Sequence, residues 1–153
     1  MRLFIGIALA PEIVHALAEV RPQFESSAGA DLRWSLPETW HVTLQFLGQT
    51  GDEQRACVVE KLGTIRAAQV PVRIQDLGFF ERVGVFWAGV MLTPELLALQ
   101  QFVTAAMRNC GFVPEERAYS PHITLARTRG RAGAKALGPL KKAVEAAKID
   151  LSA

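Results

Sequence analysis

The sequence predicts an α+β fold. Three observations predict it. Strand-like and helix-like segments are intermixed rather than alternating as regular βαβ units, two strand-like segments lie close enough to form a hairpin, and one motif occurs twice, as His41-Val42-Thr43-Leu44 and as His122-Ile123-Thr124-Leu125. The repeat suggests two related halves around a pseudo-two-fold axis, although internal similarity outside the motifs is weak.

Taken in order, Arg2–Ala8 reads as a strand, with Leu3, Ile5 and Ile7 on one face and Arg2, Phe4 and Gly6 on the other. Pro11 opens a helix through about Glu19, with Ile13, Val14 and Leu17 as its apolar stripe. A polar stretch, Glu25–Ala30, follows. Leu32–Trp34 is a short strand and Pro37-Glu38-Thr39 a turn. Trp40–Leu47 is a strand stopped by Gly48, and Asp52–Thr64 a helix with Asp52 as its N-cap. Val70–Leu77 and Val83–Val90 are β-like, joined by a hairpin connection at Phe79–Arg82. Thr93-Pro94-Glu95 starts a helix carrying Leu96, Leu97, Leu99, Phe102, Val103 and Met107, which ends near Cys110-Gly111. Pro121–Arg127 is the second motif strand. A basic, glycine-containing loop, Thr128–Gly133, leads to a last helix over about Ala134–Ala147.

At 153 residues, half of them hydrophobic and 21% charged, the chain fits one ordinary domain or two small lobes sharing a core. A net charge of +2 allows an anionic ligand without demanding one, and a strong nucleic-acid binder carries a denser basic patch. Cys57 and Cys110 stand far apart in no metal-like spacing and read as small buried hydrophobes, which fits a reducing cytoplasm. The start, Met1 to Ala10, shares some features of a signal peptide, but its apolar run is short and a helix-opening proline follows at once. No stretch approaches the ~20 apolar residues of a membrane span.

Chemistry concentrates in the repeat. Only three histidines occur, and two of them sit in the same four-residue context. On a strand, residues two apart share a face, so His41 and Thr43 point together while Val42, Leu44 and Phe46 anchor the other side in the core. The same reasoning pairs His122 with Thr124, with Ile123 and Leu125 behind. If the halves face one another, two imidazoles and two hydroxyls line one cleft. A free imidazole titrates near 6.5, so at neutral pH one ring can accept a proton while the other donates one. Hydroxyls can meet the oxygens of a phosphoryl group as charge builds there. This inventory suits phosphodiester hydrolysis. No acid or cysteine follows either histidine at metal-ligand spacing, and no phosphate-binding loop, dinucleotide fingerprint or serine elbow is present. His15, outside any motif, reads as structural or exposed.

The two motifs resemble those of the 2H phosphoesterase superfamily, and within it the RNA 2',3'-cyclic phosphodiesterases, also called 2'-5' RNA ligases. Four stretches carry the resemblance in family order: Arg2–Ile5, Leu32–Trp34 with Glu38–Gly48, Val85–Val90 and Ser120–Arg127. The resemblance implies one bilobal domain over residues 1–153, two antiparallel-sheet-plus-helix halves around a central cleft. It implies hydrolysis of a 2',3'-cyclic phosphate, on RNA ends or nucleotides, to a 2'-phosphomonoester without metal or other cofactor. It makes His41 the proton donor and His122 the acceptor that activates water, with Thr43, Thr124 and Arg127 at the phosphate. Strict alternation aims Arg127 away from His122, so a twist or bulge is required. Phe4 and Tyr119 are candidates for base or RNA contact, Trp40 is a further flanking aromatic, and Arg129 and Arg131 are loop cations within reach of RNA phosphates. Similar proteins continue with further strands after the last helix, whereas this sequence stops at Ala153. The sheet carrying His122 is therefore expected to expose an edge, with self-association or reduced stability. The rival reading is a non-catalytic RNA- or nucleotide-binding module on the same fold.

Overall fold

The computed structural model of the chain describes residues 1–28, 31–129 and 133–147. Its elements are β1 (Arg2–Ala8), α1 (Pro11–Ala18), α2 (Val20–Ala28), β2 (Leu32–Trp34), a single 3-10 turn (Pro37–Thr39), β3 (His41–Gln49), α3 (Asp52–Thr64), β4 (Ile74–Phe80), β5 (Val85–Val90), α4 (Pro94–Arg108), β6 (His122–Thr128) and α5 (Gly133–Ala146). All strand pairs are antiparallel. β1 pairs with β3, and β2, β6, β5 and β4 form a second sheet in that order. The α+β expectation is met, but the two sheets are not the two halves of the sequence. β2 precedes the first motif in the chain and yet flanks the second.

That crossover covers only part of the expected edge. β2 pairs with Ala126–Thr128 of β6, while among the described residues His122–Leu125 has β5 alone as a strand partner, so the stretch that carries His122 and Thr124 keeps an open side. The tail Lys148–Ala153 and Arg131 lie outside the described residues.

Both motif strands are bulged at the same place. Along β1 the register steps from Ile5 opposite Gln45 to Gly6 opposite Thr43, skipping Leu44; along β5 it steps from Phe86 opposite Ala126 to Trp87 opposite Thr124, skipping Leu125. A bulge sets two residues of one strand against one of its partner, so alternation restarts out of phase. Leu44 and Gln45 are both buried, as are Leu125 and Ala126. The next residue in each strand then turns outward. Phe46, expected in the core, is 61% exposed for this reason. Arg127 is exposed in the same way, so the required bulge is present. Gly48 does not stop the strand. With φ at +70°, a conformation glycine adopts without a Cβ clash, it lets β3 run on to Gln49.

Helices complete the core. In α4, Thr93 accepts a hydrogen bond from the Leu96 amide at 3.2 Å and Pro94 follows the cap, so the start is as the sequence predicts. Leu96, Val103 and Met107 are fully buried, each stabilising the fold by roughly 1.5–3 kcal/mol, while Phe102 stays outside. α3 is capped differently from expectation. Asp52 is the first helical residue, and the Gly51 amide donates to Gln54 Oε1 at 3.3 Å. The sequence pattern does not predict α2. Pro22 and two serines obscure it, but Val20 and Phe24, four apart, are both buried and fix it in place. β4 begins and ends later than the sequence suggests, so the hairpin turn falls at Glu81–Gly84. Lys141 on α5 forms an ion pair with Glu81 of that turn.

Cys57 on α3 and Cys110 just beyond α4 form a disulfide, with Cα atoms 5.7 Å apart. This overturns the reading of two separate small hydrophobes, and with it the support that reading lent to a reducing cytoplasm. The packing of α3 on α4 brings together residues 53 apart in the chain. Among the described residues, no helix is long and apolar enough to cross a membrane.

Candidate active site

The two histidines are held in the same way. His41 Nδ1 lies 2.8 Å from the Thr39 carbonyl oxygen and His122 Nδ1 lies 2.9 Å from that of Ser120, each two residues back along the chain. A carbonyl only accepts, so in both rings Nδ1 carries the proton that it donates. Nε2 is left as the nitrogen free to work, with its lone pair in the neutral ring and with a proton in the charged one. Both rings are half-buried.

Aromatic neighbours fix the ring planes. Phe4 stacks on His41 with centroids 4.4 Å apart and planes 18° from parallel. Gly6, on the same face of β1, makes room for the stack. A Cβ there would lie 3.2 Å from His41 Cδ2 and 3.3 Å from Phe4. His122 instead meets Phe80 edge-on at 4.9 Å and has Trp87 at 6.3 Å. Trp87 lies against Gly78 of β4, where any side chain would collide with its ring.

The motif strands are in contact, and a hydrogen bond ties the segment just before β6 to β3. The Tyr119 hydroxyl donates to the Thr43 carbonyl at 2.7 Å, so the residue three before His122 grips the residue two after His41. Burial pushes the Tyr119 phenol up to about 12, from the usual ~10 of the unfolded chain. The folded value is the higher one, so the stability tied to this group is complete below pH ~10 and is lost as the pH climbs to about 12. The urea midpoint of the native chain is expected to fall more steeply across that window than that of Tyr119→Phe. Parallel curves would show that the hydroxyl does not couple to folding.

The sequence-predicted residues separate into groups. Phe4 belongs with His41, Tyr119 with Thr43, and Arg127 stands on the face of β6 that carries His122 and Thr124. Trp40 is in the core, against a small apolar cavity of about 60 Å³ lined also by Leu17, Val20 and Leu125. His15 and Arg129 are exposed. Phe46 is the residue missed. Its ring centroid is 6.4 Å from that of Phe4, on the His41 side. Its one sequence signal is its place, five after the motif histidine, matching Arg127 in the other copy.

Residues 7–87 match the family described as LigT like phosphoesterase, more than half of the chain. An RNA 2',3'-cyclic phosphodiesterase of Aeropyrum pernix is 30% identical over 147 residues, covering 92% of this chain and 83% of that one. The chain belongs to the LigT-like phosphoesterase family. Another such phosphodiesterase, of Escherichia coli, is 29% identical, covering 86% of this chain and 74% of its own length. The crystal structure of E. coli LigT complexed with 3'-AMP superposes with a TM-score of 0.70 at 29% identity, over 85% of this chain and 75% of that one. Membership in the LigT-like phosphoesterases agrees with the fold predicted from the repeated motif.

Proposed function

We propose that this chain is a cyclic phosphodiesterase that opens 2',3'-cyclic phosphates at RNA ends or on nucleotides, using its two histidines and no metal. The observation that carries the proposal is the matched tethering of both imidazoles through Nδ1, which gives two distinct strands one free Nε2 each. The family relatives, named for this activity, support it.

In this reading His122 Nε2 takes a proton from water as the water oxygen bonds to phosphorus. The P–O3' bond breaks and the leaving oxygen receives the proton from His41 Nε2, so the product is a 2'-phosphomonoester with a free 3'-hydroxyl. Thr43, Thr124 and Arg127 meet the non-bridging oxygens, where charge accumulates. Phe4 and Phe46 offer an exposed aromatic surface for the base beside His41. A 5'-hydroxyl in place of water would give a 2'-5' linkage by the same proton transfers. Residues 1–153 act as one bilobal domain, with the cleft between its sheets.

The test is incubation with a 2',3'-cyclic nucleotide in the presence of chelator, with the product read by phosphorus NMR. The 2'-phosphate alone is expected. A 3'-phosphate, or abolition by chelator, would reject the mechanism.

A further inference from the structure

The second sheet carries its site residues in rows fixed by strand register. His122 stands opposite Gly89, and Gly89 opposite Asp76. Thr124 stands opposite Trp87, and Trp87 opposite Gly78. Beyond the bulge, Arg127 stands opposite Val85 on one side and Arg33 on the other. The two-residue step from Trp87 to Val85 puts the arginine row roughly 7 Å beyond the Thr124 row.

Residues directly opposite in an antiparallel pair share a face, and like charges placed so destabilise the ladder. Arg33 and Arg127 are both exposed, and among the described residues no carboxylate lies within 4 Å of either guanidinium. Asp31, two residues before Arg33, pairs with neither. Arg129, two residues on from Arg127, is exposed and adds a third positive charge. The opposite end of the same face carries the exposed carboxylate of Asp76. Positive charge on this face thus gathers at the Arg33 end and negative charge at the Asp76 end.

We infer that Arg33, which stands beside Arg127, binds a second phosphate, the one adjoining the reacting phosphate, and so is the residue that favours a cyclic end with a further nucleotide over a cyclic mononucleotide. The inference rests on the reading that Thr124 and Arg127 hold the reacting phosphate. A guanidinium presents a planar fork of donors that matches phosphate oxygens, and with Arg127 on the reacting phosphate, Arg33 is left for one further phosphate. A cyclic mononucleotide has no phosphate to offer there. An oligomer has one.

The experiment compares kcat/KM for uridine 2',3'-cyclic phosphate and for the dinucleotide uridylyl-uridine 2',3'-cyclic phosphate. The native chain is expected to favour the dinucleotide by about tenfold or more. Its log kcat/KM against log salt is expected to be steeper for the dinucleotide by about 0.7, the value for one added phosphate on a single strand. Arg33→Gln brings the ratio to about one and removes the extra slope, while Arg33→Lys keeps part of both. A ratio near one in the native chain, or a preference and slope that survive Arg33→Gln, overturns the inference and leaves the cyclic phosphodiesterase reading intact. If neither substrate is turned over, that reading fails first. Calorimetric binding of the two 2'-phosphate products still measures the ratio, and equal affinities then overturn the inference as well. A urea titration establishes that Arg33→Gln is folded.

Discussion

Replacing His41 or His122 with alanine is expected to lower kcat on a 2',3'-cyclic nucleotide by about 10²–10⁴-fold, the usual worth of one positioned acid or base. Each ring touches the fold through one backbone hydrogen bond and aromatic contacts, Phe4 for His41 and Phe80 with Trp87 for His122, and each is half-buried, so the loss falls on chemistry. Circular dichroism and urea midpoints are expected to stay near native. The double variant loses far less than the product of the two single losses, because a proton relay missing one member has little left for the other to do. In the native chain a bell-shaped pH profile is expected, since the proposed mechanism uses one ring as proton acceptor and the other as donor. Each single variant loses one limb of its residual profile. If either variant retains more than half of native turnover, the two-histidine mechanism is wrong.

The second large effect concerns stability. The Cys57–Cys110 disulfide closes a segment of 53 residues, which restricts the unfolded chain by about 4 kcal/mol in the loop-entropy picture. Reduction, or the pair Cys57→Ala with Cys110→Ala, is expected to remove about 2–4 kcal/mol from the unfolding free energy. The loss reaches the site only through the fold. α3 packs on α4, and α4 packs on β3, which carries His41. At 25 °C turnover is therefore expected to persist without the crosslink, and to fail at a lower temperature than in the oxidised chain. An unchanged urea midpoint after complete reduction would show that the crosslink constrains nothing.

What could be read in advance followed from how local each signal was. His41-Val42-Thr43-Leu44 and its repeat reveal two strands, their buried faces and the pairing of imidazole with hydroxyl, because period two holds over four residues. It fails at the fifth. Nothing in Gln45-Phe46 or Ala126-Arg127 announces a bulge, and the bulge is a property of pairing with β1 and β5. Period two therefore places Phe46 in the core and admits Arg127 to the phosphate site only on condition of a distortion. The disulfide was illegible for a similar reason. Its geometry exists only once two helices distant in sequence have packed. Trp40 next to His41 and Tyr119 near His122 looked alike from the sequence. The 3-10 turn sends one into the core, and the hydrogen bond to Thr43 fixes the other between the motif strands.

In the proposed reading, the paired bulges also set which way round a substrate lies. Up to the leucine the two motif copies are nearly interchangeable, and a cleft built only from them would accept a nucleotide in either of two opposed orientations. The residue each bulge turns outward breaks that tie, with a ring at Phe46 and a guanidinium at Arg127. An RNA terminus has a base at one end of its last sugar and a phosphate-bearing chain at the other. Seated one way it matches both residues, and reversed it matches neither. On that reading two side chains give a duplicated scaffold a head and a tail, and with them the choice of which imidazole meets the leaving oxygen.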